Sequence, residues 1–144
     1  MSYNVEQINS GYLSLTAAGL AIGTTTGTFK TTNTLTYTSN GIFKSKNATD
    51  NLVFSTSTNL ANSQQCLFGI WINAAGTVTT SQGPITATGD TCPVPTAPAA
   101  SLTLVGLIKV SCSSSQTFTV GTSVLGTGNT TTYIDCSLMP GTAQ

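Results

Sequence analysis

The sequence predicts an all-β fold: one single-domain, two-sheet β-sandwich of jelly-roll type with about eight or nine short strands. Three observations predict it. Apolar and polar residues alternate with a period of two in several runs, and the runs are separated by Gly-, Asn- and Ser-rich turns. Helical periodicity is nearly absent. Threonine, whose branched Cβ suits a pleated strand, supplies 29 of the 144 residues. A chain of 14.7 kDa fits one domain with a real core, residues 1–144.

The elements follow in order. Leu13, Leu15 and Ala17 alternate with Ser14 and Thr16 and predict a first strand. Gly23–Gly27 reads as a turn. Over Thr28–Thr38, Phe29, Leu35 and Tyr37 share one face, with Thr34, Thr36 and Thr38 on the other. Asn40-Gly41 then marks a hairpin. A two-residue loop would set Tyr37 opposite Lys44 and Leu35 opposite Lys46. A three-residue loop, Ser39-Asn40-Gly41, sets Tyr37 opposite Phe43 and keeps one face apolar, so it is the expected register.

Gln65–Ile72 is the most apolar run and predicts a strand covered on both faces by a sheet edge, a loop or another subunit. It returns through an Ala74-Ala75-Gly76 loop that places Ile72 opposite Val78. Three prolines in residues 91–100 exclude a central strand and predict an extended connector across an end of the domain. Leu102–Val110 is a second strongly apolar strand. Its Leu104-Val105-Gly106-Leu107-Ile108 echoes Leu67-Phe68-Gly69-Ile70-Trp71, predicting two equivalent central strands whose glycines admit a close neighbour or a bulge. Thr117–Val120 is read as a return strand, Gly126–Asn129 as a flexible loop and Thr131–Ile134 as the last strand. Residues 1–12 and 137–144 are read as an N-terminal arm and a C-terminal tail.

Charge is scarce. Lys30, Lys44, Lys46 and Lys109 face Glu6, Asp50, Asp90 and Asp135, with no Arg or His and a formal net charge of zero. Four scattered lysines make no basic stripe for nucleic acid. Histidine acid–base chemistry and His-ligated metals are excluded. Solubility rests instead on 29 Thr, 16 Ser, 14 Gly and 10 Asn. A surface with so little net charge is poorly protected against self-association and suits a protein packed against neighbours.

No signal-peptide pattern and no apolar run of about 18 residues occur, so synthesis in the cytoplasm without a membrane span is expected. Cys66, Cys92, Cys112 and Cys136 lie 26, 20 and 24 residues apart, without a C-x-x-C pair that would suggest zinc; cytoplasmic synthesis favours free thiols, with one or two disulfides after release into an oxidising medium as the alternative.

No catalytic, cofactor-binding or metal-binding residue is assigned. Serine and threonine lack a partner base, and no two of the four carboxylates are paired by sequence. Asp50 and Asn51 are weak calcium candidates without an Asp-x-Asp-x-Asp loop. Asn47-Ala48-Thr49 and Asn129-Thr130-Thr131 match the glycosylation pattern by coincidence in a Thr-rich chain. Trp71 lies in the most apolar strand and is read as core rather than a sugar platform.

Several segments together resemble the small decoration (cement) or head-fibre proteins of tailed bacteriophages. They are Tyr3–Gly11, Asn40–Lys46, Phe68–Ile72, Val105–Val110 and Thr117–Thr122. The resemblance implies a non-enzymatic virion protein on the outer capsid surface, synthesised in the host cytoplasm. It implies the major capsid protein as partner, a homo-oligomer (dimer or trimer), and no nucleic acid or membrane partner. Tyr3, Val5, Ile8, Tyr12 and Met139, on the two terminal segments, are the expected subunit or capsid contacts. The alternatives are a β-sandwich adhesin or carbohydrate-binding module, and a subunit of another phage or bacterial surface assembly.

Overall fold

The computed structural model describes residues 11–55 and 57–137. Ten strands and no helix occur among them: β1 Leu20–Ile22, β2 Thr28–Thr31, β3 Leu35–Ser39, β4 Ile42–Lys46, β5 Leu52–Val53, β6 Gln64–Ile72, β7 Val78–Gln82, β8 Thr86–Ala87, β9 Thr103–Ser111 and β10 Thr130–Asp135. All pairings are antiparallel. A five-stranded sheet runs β10-β9-β6-β7, with β8 also on β6, and two smaller sheets are β1-β2-β5 and β3-β4. The sheets pack in sandwich fashion around one core.

The echo between the two glycine-centred runs has a structural meaning: β6 and β9 pair with each other at the centre of the large sheet. Cys66, Phe68 and Ile70 of β6 lie opposite Val110, Ile108 and Gly106 of β9. The register shifts at Ile70/Trp71, leaving Val105 as the extra, bulged residue, and Val105 joins the core with Ile108 and Val110. Gly106 is required here: a Cβ would meet a Leu20 methyl and would lie 2.9 Å from the Ile134 carbonyl oxygen. The small β1-β2-β5 sheet closes over this face through a chain of phenyl rings. Phe29 on β2 lies 5.0 Å from Phe54, Phe54 lies 4.9 Å from Phe68, and Phe68 lies 6.4 Å from Phe118.

The second face of β6 is covered by the proline-rich connector. Pro93 and Pro95 of the 91–100 connector lie against that face. Pro95 is buried, and a Cβ on Gly69 would lie 2.9 Å from its ring and 2.6 Å from Trp71 Nε1. The Gln65 amide donates to the Asp90 carbonyl at 2.6 Å, and Gly83 N–H donates to the Leu67 carbonyl at 2.8 Å. Trp71 therefore is not a core residue. It is half-buried on this outer face, and its Nε1–H donates to Ser81 Oγ at 2.8 Å.

Three expected strands differ. Residues 13–16 form no strand of their own but lie along β3, with one bridge, Ser14 to Tyr37. Ser14 and Ala18 are buried while Ala17 is exposed, because hydrogen bonding to β3, not the alternation, sets the orientation. The run Thr28–Thr38 breaks into β2 and β3 at Thr32–Thr34, where Thr32 and Asn33 N–H donate to the Gly19 and Ala18 carbonyls. Thr117–Val120 contributes only the Leu60–Phe118 bridge, and β10 takes the edge beside β9. The 74–76 loop matches its reading, with Ile72 opposite Val78 and Gly76 at φ 81°. The loop at Gly126–Asn129 is tied down, since the Asn129 side-chain amide donates to the Val124 and Thr127 carbonyls.

Candidate functional site

The β3–β4 hairpin has the two-residue turn, not the three-residue loop. Asn40 and Gly41 take φ of 51° and 75°, the paired left-handed conformation of a type I′ turn. Tyr37 lies opposite Lys44, Leu35 opposite Lys46, and Thr38 opposite Phe43. Local turn geometry prevails over keeping one face apolar. The cost is small because the lysine stems are apolar and only half-buried, leaving their ammonium groups free for water. Tyr37 and Leu35 still reach the core, and the Tyr37 hydroxyl donates to the Asn73 carbonyl at 2.9 Å. Burial pushes the Tyr37 phenol above its ordinary value. The register leaves Phe43 73% exposed and Ile42 59% exposed at the hairpin's end. Sequence reasoning missed this apolar tip because it turned Phe43 inward. The Asn-Gly dipeptide was the signal for it.

Of the five expected contact residues, Tyr3, Val5, Ile8 and Met139 lie outside the described residues. Tyr12 is half-buried on the rim of an open cleft of about 210 Å³, shared with Leu13, Ser14, Leu104, Cys136 and Ser137. Tyr12 and Ser137, near the two limits of the described residues, thus lie at one cleft. Desolvation first, and then the Asp135 carboxylate, raise the Cys136 thiol above its ordinary value. Asp135 itself holds β1, accepting from Leu20 N–H at 3.2 Å.

The calcium candidates are turned to another task. The Asp50 carboxylate accepts from Thr24 N–H at 3.0 Å and from the Thr24 hydroxyl, and Asn51 Oδ1 accepts from Thr25 N–H at 2.8 Å. Those Thr24 bonds hold the Asp50 carboxyl below its ordinary value. Both side chains therefore order the 23–28 turn. No group of three or more His, Cys, Asp or Glu able to hold a metal occurs among the described residues.

All four cysteines are free thiols, Cys66 and Cys112 buried, Cys92 and Cys136 half-buried. A second, polar cleft of about 320 Å³ is lined by Ser113, Gln116, Gly128, Asn129 and Thr130. Among the described residues, no helix is long and apolar enough to cross a membrane. Comparison of the chain with protein-family models, with curated proteins and with solved structures finds no match.

Proposed function

We propose that this chain is a non-enzymatic structural protein of a tailed-phage virion that binds the outer capsid surface and cements or decorates neighbouring subunits of the major capsid protein. The supporting observation is the nature of its surface. Four cations and four carboxylates serve 144 residues, while Ile42, Phe43 and Val53 are 59%, 73% and 69% exposed. Such a surface engages partners through apolar side chains, hydroxyls and backbone groups rather than through charge. A contact of that kind is modest per copy and is multiplied by the symmetry of a shell. Tyr12 and Ser137, which adjoin the terminal segments that carry Tyr3, Val5, Ile8 and Met139, line one cleft. In this reading those segments make the capsid and subunit contacts of a dimer or trimer.

Trp71 gives the carbohydrate-binding alternative little support, because its ring packs beside Pro95 and its N–H is bound to Ser81. The test is immunogold electron microscopy. Antibody raised to the recombinant chain is applied to gradient-purified particles from a lysate of cells carrying the sequence. Label on the outside of intact heads is expected. Particles that contain no such chain, or label confined to disrupted particles or tail tips, would overturn the reading.

A further inference from the structure

We propose that Asn40-Gly41 is a site of self-modification: Asn40 loses ammonia through a cyclic imide formed with Gly41, and the Gly11 carbonyl restrains that step. This pair is the only Asn-Gly in the chain. The ring forms when the following residue's amide nitrogen reaches the asparagine Cγ, and a side chain on that residue would crowd the approach. Gly41 has none, and a Cβ built there would meet nothing within 4 Å, so the surroundings are open.

The side chain is also available. Elsewhere asparagine side chains are tied to the backbone. Asn33 Nδ2 donates to the Ala17 carbonyl at 3.1 Å, Asn51 Oδ1 accepts from Thr25 N–H at 2.8 Å, and Asn73 Oδ1 accepts from Ala75 N–H at 2.9 Å. Asn40 is exposed at the tip of the hairpin, and no described residue hydrogen-bonds its side chain.

The step begins when the Gly41 nitrogen gives its proton to water or hydroxide. The nitrogen bonds to Asn40 Cγ, the bond from Cγ to the side-chain nitrogen breaks, and ammonia leaves. Water then opens the five-membered imide at either carbonyl, giving aspartate or isoaspartate. One water is consumed and one ammonia released. The proton that must leave is the one that Gly11 holds, because Gly41 N–H donates to the Gly11 carbonyl at 3.0 Å. That bond belongs to a set that fastens residues 11–15 along β3. Thr38 N–H donates to the Leu13 carbonyl at 2.8 Å, Leu13 N–H to Thr38 Oγ1 at 2.9 Å, and Leu15 N–H to the Thr36 carbonyl at 2.9 Å. Modification of Asn40 therefore waits on local detachment of this segment and not on global unfolding.

The product alters the hairpin. Isoaspartate carries the main chain through Cγ, one carbon longer, and leaves a free carboxylate. The turn that pairs Ser39 with Ile42 needs two left-handed residues of ordinary length. The longer link breaks that turn and sets a negative charge beside the exposed Ile42 and Phe43.

Peptide mapping by mass spectrometry, on the free chain incubated at neutral pH, tests this, so its outcome is separate from the virion reading. A gain of one mass unit should appear at residue 40 ahead of every other asparagine, with isoaspartate as the main product, and more slowly in the folded chain than in urea. In Gly11→Ala the new Cβ would lie 2.7 Å from the Gly41 nitrogen on a backbone of φ 68°, which displaces the restraining carbonyl. That variant should gain the mass about fivefold faster than the parent chain, the worth of one ordinary hydrogen bond. Asn40→Gly keeps a pair suited to the turn and should show no gain at residue 40. Ile108 and Val110 amide protection reports the intact sheet. If Gly11→Ala loses it, Thr38→Val, which removes only the acceptor of Leu13 N–H, decides, again with a faster gain expected. A gain at residue 40 no faster than at other asparagines, equal rates in the folded chain and in urea, or a deciding variant no faster than the parent would each overturn the proposal.

Discussion

At the scale of single residues, the informative positions are those where chemistry and environment disagree. Cys66 is the clearest. Its side chain is fully buried on the core face of β6. Burial pushes its thiol from the ordinary 9.0 up to about 11, against a small lowering by the Gln82 amide. Below pH 9 the thiol is neutral in the folded and unfolded chains alike, and that advantage of the fold is fully present. Above it the unfolded chain ionises while the folded thiol keeps its proton, so stability falls until the folded thiol also titrates near 11. The expected loss across that window is on the order of 2 kcal/mol. Urea unfolding at stepped pH should show it, and Cys66→Ala should have a shallower decline across the same window. Parallel slopes would mean that Cys66 samples water. The glycines were legible for the same kind of reason. A glycine between apolar strand residues has no packing purpose of its own, so a close neighbour was expected at Gly69 and Gly106. Which neighbour, Pro95 or Leu20, was not legible, because both come from distant segments.

At the scale of elements, strong and long signals were read correctly and weak ones were overridden by neighbours. The two apolar runs became β6 and β9, since nothing but a doubly covered central strand can use residues apolar on both faces. The second hairpin kept its register because a three-residue turn with glycine agreed with the apolar pattern. In the first hairpin the two criteria conflicted. Asn40-Gly41 strongly favours a type I′ turn, and lysine stems made the mixed face tolerable, so the turn prevailed. The short runs around Leu13 and Thr117 lacked the length to decide their own fate. The connector is the element whose placement sequence could not give: proline content says what it is, not which surface it crosses. Its placement is testable. Pro95 is buried beside Trp71, the single tryptophan. Replacing Pro95 with Ser should loosen the connector, shift Trp71 emission to the red and raise its accessibility to iodide, while the far-ultraviolet spectrum of the sheet is unchanged. Emission identical to that of the parent chain would mean that Ser81 and the sheet, and not the connector, shield the indole.

At the scale of the whole molecule, the decisive property is how little of it is charged. Fold class was legible because it needs only pattern and composition. The apolar hairpin tip was not, because the local turn overrode the apolar pattern, and the meeting of Tyr12 and Ser137 at one cleft was not, because it joins residues remote in sequence. The way the surface recognises a partner follows from the charge count. Four lysines and four carboxylates at net zero supply no long-range field to steer encounter. The exposed apolar side chains at Ile42, Phe43 and Val53 supply contact that does not weaken as the Debye length shortens. Attachment to particles should therefore survive transfer from about 0.05 M to about 1 M NaCl, a range over which the Debye length shortens from about 14 Å to about 3 Å. It should be lost when Phe43 is changed to Ser or when residues 1–10 are removed. Pelleting of gradient-purified particles, with the chain quantified in pellet and supernatant, measures all three. Release by salt alone would show that the few charges dominate the contact, and would point to Lys44 and Lys46 instead of their apolar neighbours. Occupancy unchanged by both alterations would place the contact elsewhere on the molecule, with the outward face of β1-β2-β5 around Val53 as the next surface to alter.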